Sequence, residues 1–192
     1  MIQTSDTKGI ILETALLLFS RKGYESVGVQ EIVTTAGITK PTLYYYFKSK
    51  QGLLEAIVAE YGAVFISITR KAAEYRHNLV VNLRDLFQET LNFAHEHPAF
   101  YRLSQNLFSS APETAGYAVG VPFKGELVAT LEGLFIAAAG DHGNMKNRER
   151  VYAETFMGLL ETWAMLSING EAKLNDYLQY RIIHHFMHGI FS

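Results

Sequence analysis

Residues 29–50 read VQEIVTTAGITKPTLYYYFKSK, and the spacing of apolar residues in this run predicts two short helices joined by a tight corner. Val29, Ile32, Val33 and Ala36 fall at i, i+3, i+4 and i+7, the apolar stripe of a helix. Gly37 ends it, because glycine accepts the left-handed backbone of a helix terminus without a Cβ penalty. Thr39 is then placed to cap a second helix, with Pro41 in its first turn, where a missing N–H costs little. At about 100° per residue, Leu43 and Phe47 share the inner face of this second helix, while Pro41, Thr42 and Tyr45 turn away and Tyr44 sits on a flank. Helix, glycine-containing break, helix is the pattern of a helix-turn-helix.

The same period extends in both directions. Ile11, Ala15, Leu18 and Phe19 recur at i, i+4, i+7 and i+8 behind a polar Ser5-Asp6-Thr7 start, and Gly23 follows Arg21-Lys22, so a first helix precedes the pair. Downstream, Ser49 is placed to cap a long helix striped by Leu54, Ile57, Val58, Tyr61, Phe65 and Ile68, unbroken to about Arg76-His77-Asn78. A fifth helix carries Leu83, Leu86, Phe87, Thr90, Leu91 and Ala94. A sixth runs from Pro98 through Tyr101 and Phe108 to the break at Ser109-Ser110-Ala111-Pro112. Residues 110–121, with Pro112, Gly116 and Gly120, read as a loop, and a seventh helix starts at Pro122 and runs toward Ala139. Two more helices, at about 147–168 and 172–189, are separated by Asn169-Gly170. The expected class is all-α with about nine helices, arranged as a helix-turn-helix domain, residues 1–48, and a larger helical domain, residues 49–192.

Composition narrows the function classes. The 192 residues include no cysteine, which removes disulfides, thiol nucleophiles, cysteine zinc sites and thiol-based sensing. The amino terminus, MIQTSDTKGI, lacks a basic region followed by an apolar core, and no segment approaches about 18 uninterrupted apolar residues. The expectation is a cytoplasmic protein with no membrane partner. The 17 basic and 19 acidic side chains leave a net charge of −2, at first sight an argument against nucleic acid, whose phosphates are met mostly by Lys and Arg. Split at residue 50, the charge is +2 in front, with Lys8, Arg21, Lys22, Lys40, Lys48 and Lys50 against Asp6, Glu13, Glu25 and Glu31, and −4 behind.

On the second helix of the pair, a proline, a threonine and outward tyrosines stand beside Lys40, Lys48 and Lys50, an odd set for a helix that is merely solvated. Hydroxyls and phenols hydrogen-bond to phosphate oxygens or base edges, a threonine methyl meets a thymine methyl, and lysines supply charge. The other reading of the same residues is that the tyrosines pack within the bundle and the lysines only solubilise it.

The ordered run Thr7-Lys8, Ile11-Leu12, Ala15, Leu18-Phe19, Gly23-Tyr24, Val29, Ile32, Ala36 through Lys50, then Leu53-Leu54, resembles the amino-terminal domain of TetR-type (TetR/AcrR-like) transcriptional regulators. The resemblance covers about the first 55 residues. It implies that residues 39–46 enter the major groove of a double-stranded DNA operator and that the protein works as a homodimer on a palindrome. Carried over by position, the DNA-binding residues are Thr39, Lys40, Pro41, Thr42, Tyr44, Tyr45 and Tyr46, with Lys50 on phosphate and Gln30 in the supporting helix. Two positions depart from the pattern. Val27-Gly28 stands where the family usually has Thr or Ser before the second helix, which removes a capping hydroxyl that Ser26 is the nearest residue to replace, and Val33 stands where alanine is common.

Beyond residue 55 the resemblance fades, and periodicity carries the reading. In the helix at about 147–168, Tyr152, Phe156, Leu159, Leu160 and Trp163 form one face. In the last helix Leu174, Leu178, Ile182 and Phe186 form one stripe, with Tyr177, Tyr180, Ile183, Met187 and Ile190 around the rest. A helix apolar on more than one side needs more than one partner, which agrees with the family's pairing of its last two helices into an intersubunit four-helix bundle. Phe65, Phe93, Tyr101, Phe108, Phe123, Phe156 and Trp163 are the candidates for a pocket that takes a small-molecule effector. Each also fits ordinary core. His184, His185 and His188 include one i, i+4 pair, but no acidic general base lies between them, and neither a metal nor another cofactor is expected. The function expected is a ligand-responsive repressor; the alternative is an all-α small-molecule enzyme or carrier with an incidental helix-turn-helix.

Overall fold

The computed structural model describes residues 4–189, with side chains from Thr7 onward other than that of Asn144. Among the described residues all regular structure is helical. The chain divides into two compact units, Met1–Val64 with Ala99–Lys124, and Phe65–Pro98 with Gly125–Ser192.

The first unit holds α1 (Thr4–Lys22), α2 (Val29–Thr35), α3 (Lys40–Phe47), α4 (Lys50–Ile57), a π turn (Val58–Gly62), nearly all of α7 (Pro98–Phe108) and the start of α8 (Ala115–Ala138). Of the residues that the helical period marks, Ile11, Ala15, Phe19, Ile32, Val33, Leu43, Phe47, Leu54 and Ile57 are buried, joined by Leu53, whereas Leu18, Val29, Ala36 and Val58 are half-buried. Packing runs α1 on α2 and α4, and α3 on α2 and α4. The corner between α2 and α3 closes as a Schellman motif: Gly37, at φ +66°, donates to Thr34 O at 3.3 Å and Ile38 donates to Val33 O at 3.0 Å. Glycine is required there because the backbone is left-handed. A second glycine is required by space, since a Cβ on Gly52 would run into the carbonyl oxygen of Phe47 at the corner between α3 and α4.

The segment 110–121 is not a loop. The backbone turns only between Phe108 and Ala115, and α8 begins at Ala115 rather than at Pro122, which lies inside it. Thr114 caps α8, its hydroxyl accepting from Tyr117 N at 3.1 Å. Gly116 and Gly120 are one helical turn apart and face α7; a Cβ on Gly116 would stand 2.8 Å from Ser110 Oγ, and one on Gly120 would stand 2.7 Å from Leu107 Cβ. These glycines are sites of close helix approach, not chain reversals. Pro122 is tolerated because Ala118, whose carbonyl it cannot serve, is exposed.

The second unit contains most of α5 (Ala63–Ala73), α6 (Leu79–Glu96), the rest of α8, a short 3-10 turn (Gly143–Met145), α9 (Glu149–Ile168) and α10 (Asp176–His188). Helix α6 is its centre, packed on α9 and on α10. Phe65 stacks on Phe93 with ring centroids 4.5 Å apart. Residues Lys50–Ala73 are long and apolar enough, by length and composition, to cross a membrane, yet Leu53, Leu54, Ile57 and Phe65 are core residues of the fold. The last helix starts at Asp176, capped by Asn175, and not near 172, so Leu174 precedes it; Ile190 lies outside the described residues.

One buried polar side chain organises the turn between α5 and α6. Asn82, fully buried, donates to Ala72 O and Glu74 O, each at 2.8 Å, and its carbonyl accepts from Arg76 N at 3.4 Å. Asn82→Ala strands these backbone groups, at a cost of about 1–3 kcal/mol. Thermal unfolding should then fall by about 2–12 °C for a chain of this size, measured by circular dichroism.

Candidate nucleic-acid interface

Helix α3 carries a sharp division between what it buries and what it offers. Leu43 and Phe47 point into the core at 0% and 5% exposure, whereas Tyr45 is 80% and Tyr44 45% exposed. Lys40 and Pro41 are exposed, and Thr42 and Tyr46 are half-buried. Thr39 caps the helix: its hydroxyl accepts from Thr42 N at 3.4 Å and lies 2.8 Å from Thr42 Oγ1. The Tyr45 ring meets Tyr46 edge-on with centroids 5.1 Å apart, and Tyr46 continues to Phe47 at 6.3 Å. The most exposed phenol is thus braced through its neighbour toward the core, which restricts its motion before any partner arrives.

Gln30 is exposed on α2, with its amide donating to Thr34 Oγ1 at 3.3 Å along the same helix. The start of α2 has no side-chain cap: Gly28 occupies the capping position, and no hydroxyl from Ser26 replaces the missing one. Lys40 and Lys48 are exposed cations with no ion pair among the described residues, while Lys22 is paired with Glu31. Lys48 is not among the residues that the family resemblance places on DNA. It caps the end of α3 with a positive φ of +61°.

Lys50 makes contacts within the chain that its spacing does not reveal. Its ammonium donates to Tyr24 O at 3.0 Å and to Val27 O at 3.1 Å, and stands 4.1 Å from the centre of the Tyr24 ring. Burial, with the charges of Glu25 and Glu55, pushes the Tyr24 hydroxyl up to about 12, so the ring stays a neutral phenol under the cation. The group ties the first turn of α4 to the segment between α1 and α2. The sequence signal for this tie is the pair Gly23-Tyr24, which belongs to the family pattern but has no role that spacing alone reveals.

The carboxy-terminal candidates are distributed over both units. Tyr101, Phe108 and Phe123 belong to the first, where Phe108 and Phe123 rings stand 5.7 Å apart; Phe65, Phe93, Phe156 and Trp163 belong to the second. Five of the seven are buried, Phe108 and Trp163 being half-buried. On α10, Ile182 and Ile183 face inward while Tyr177 and Tyr180 are 67% and 61% exposed, as is Val151 on α9 at 64%. Tyr180 and His184 rings are 5.5 Å apart, and His184 and His188 rings 4.4 Å, so this outer stripe is ordered by its own aromatic contacts.

The Lys50 geometry makes a prediction about folding. Lys50→Ala removes two hydrogen bonds from a charged donor together with the packing on Tyr24, and should destabilise the protein by about 1–3 kcal/mol in urea titration. Lys48→Ala, which removes no such interaction, should change stability by less than about 0.5 kcal/mol.

The geometry of α3 agrees with what known proteins of similar sequence and fold are. Residues 11–57 match the family described as bacterial regulatory proteins, tetR family. "Probable HTH-type transcriptional regulator YttP" of Bacillus subtilis (strain 168) is 32% identical over 93 residues, 47% of this chain and 45% of that protein, so the chain spans less than half the length of this relative. The HTH-type transcriptional activator FasR of Mycolicibacterium smegmatis is 25% identical over 171 residues, 88% of this chain and 76% of FasR. Among solved structures, the transcriptional regulator FadR from Bacillus subtilis, in complex with stearoyl-CoA, superposes with a TM-score of 0.75 at 16% identity, covering 94% of this chain and 98% of that one, which is a likeness of fold. The amino-terminal residues 11–57 are thus similar to the tetR family of bacterial regulatory proteins, and beyond them the likeness is one of fold.

Proposed function

We propose that this protein is a ligand-responsive transcriptional regulator that binds a palindromic DNA operator as a homodimer. The observation that carries the reading is the outer face of α3: Lys40, Pro41, Tyr44 and Tyr45 project from a short helix whose inner face is locked by Leu43 and Phe47 and whose first turn is capped by Thr39. A helix of this size, rigid and carrying hydrogen-bonding groups with flanking cations, fits the major groove. Tyr44, Tyr45 and Thr42 read base edges or phosphate, Lys40 and Lys48 meet phosphate, and Lys50 acts by holding the loop ahead of α2. Tyr46 and Gln30 support the reading helix. Two such helices in a symmetric dimer address half-sites about 34–36 Å apart.

The outer faces of α9 and α10, with Val151, Tyr177 and Tyr180, form the dimer contact in this account. An effector taken up among the aromatic residues of the second unit, Phe65, Phe93, Phe156 and Trp163, would favour a conformation in which the two reading helices lose that spacing, which requires only differential affinity for the two states. Repression is the mode we propose, in the cytoplasm where the operator lies. A second reading, activation by the bound protein, is favoured by the similarity to FasR, an activator by name, over 88% of this chain.

Three outcomes test the proposal. In a gel shift with DNA flanking the protein's own gene, Tyr44→Ala should weaken binding by about 1–3 kcal/mol for each subunit's reading helix, and unchanged binding would contradict the placement of α3. Lys40→Met should lower the slope of log affinity against log salt by about one per subunit, whereas Lys50→Met should weaken binding with the slope unchanged. Tyr180→Glu should turn a dimer into a monomer by light scattering; a wild-type monomer at micromolar concentration would contradict the interface.

A further inference from the structure

The second unit contains a cavity that none of these roles uses. It opens among the start of α6, the end of α8, the start of α9 and the end of α10, with a volume of about 370 Å³. Its floor is aromatic: Phe135, Tyr152 and Phe186 line it, with the Phe135 ring 5.7 Å from Tyr152 and 6.2 Å from Phe186. Its polar edge is made by His77, His142 and His188, and no carboxylate, lysine or arginine is among the described lining residues. Two other cavities of this unit, about 510 and 460 Å³, both include Asp176 in their lining.

The edge is arranged to present donors. Asp141 accepts from the Tyr75 hydroxyl at 2.9 Å and faces His77 Nδ1 at 2.8 Å. Hydrogen bonds from His77 and Tyr75 hold the Asp141 carboxyl below its ordinary range, so it is a carboxylate that fixes Nδ1 as the donor toward itself. The His77 side chain is otherwise 82% exposed, which leaves Nε2 for a second partner. His142 and His188 are exposed as well, and His188 is steadied by His184 at 4.4 Å. The positive end of the α6 dipole, at Leu79 and Val80, adds to the same edge.

We infer that this cavity binds a one- or two-ring aromatic carboxylic acid, its ring stacked over Phe135, Tyr152 and Phe186 and its carboxylate taking hydrogen bonds from the imidazoles of His77, His142 and His188. The volume is at the low end of small-molecule pockets, about 300–1,000 Å³, and suits a body of one or two rings. Aromatic rings favour an aromatic body by offset or edge contacts, and imidazole N–H groups favour an acid over an alcohol of the same shape. The site is distinct from the seven aromatic candidates named above, none of which lines it, and its occupancy is measurable without DNA.

The test is calorimetric titration of the full chain with naphthoate, with naphthalene methanol as the uncharged isostere and octanoate as the ring-free acid. Saturable naphthoate binding is expected, at least ten-fold tighter than either control. The double variant His142→Ala/His188→Ala should bind naphthoate at least ten-fold more weakly; because His188 ends the outer stripe of α10, its mass by light scattering is compared with that of the wild type and should be unchanged. Met187→Trp, which fills the mouth, should abolish binding. Absence of saturable binding by the wild type overturns the inference, including the case in which a second copy of the chain fills the cavity. So does equal affinity for the acid and the alcohol, or wild-type affinity in the double histidine variant.

Discussion

The ammonium of Lys50, held between the carbonyls of Tyr24 and Val27 and over the Tyr24 ring, sits at the base of the proposed DNA-reading surface. Those two carbonyls belong to the segment between α1 and α2, and the α2 start has no side-chain cap because Gly28 occupies that position. A loop without its hydroxyl cap is held from the opposite side by a cation on α4. Helix α2 in turn sets the Schellman corner at Gly37, and the corner sets where Thr39 begins α3. The orientation of Tyr44 and Tyr45 is therefore the last link of a chain of backbone hydrogen bonds that starts at Lys50.

This arrangement explains how a chain with net charge −2 is suited to a polyanion. Charge is not spread over the reading head: Lys22 is neutralised by Glu31 and Lys50 is turned inward, leaving Lys40 and Lys48 beside α3. In the proposed account so few free cations beside α3 give modest affinity per subunit, which dimerisation would multiply through effective concentration. Specific recognition then depends on the stiffness of the α3 surface, where Tyr45 leans on Tyr46 and Tyr46 on Phe47.

The reading head is legible in the sequence because its signals are local. Val29, Ile32 and Val33 mark a stripe, Gly37 a left-handed stop, Thr39 and Ser49 caps, and Leu43 with Phe47 an inner face; each acts within a few residues of its own position. What is not legible depends on residues far apart in the chain or on how helices lie against each other. Gly116 and Gly120 look like turn residues until Leu107 and Ser110 are seen against them, and the same absent side chain serves a loop or a close helix approach equally well. The tie from Lys50 to the carbonyls of Tyr24 and Val27, more than 20 residues away, has no signal in the spacing around Lys50. The cavity floored by Phe135, Tyr152 and Phe186 draws on four helices whose relative placement no periodicity reveals.

The central claim is that α3 reads the major groove from two subunits related by symmetry. Methylation interference at guanine N7, an atom exposed only in the major groove, tests it most directly on DNA flanking the protein's own gene. The account predicts two symmetric patches of interfering guanines whose centres are about one helical turn apart, or a multiple of it. Interference at a single patch, or protection by the protein with no effect of N7 methylation, would contradict it.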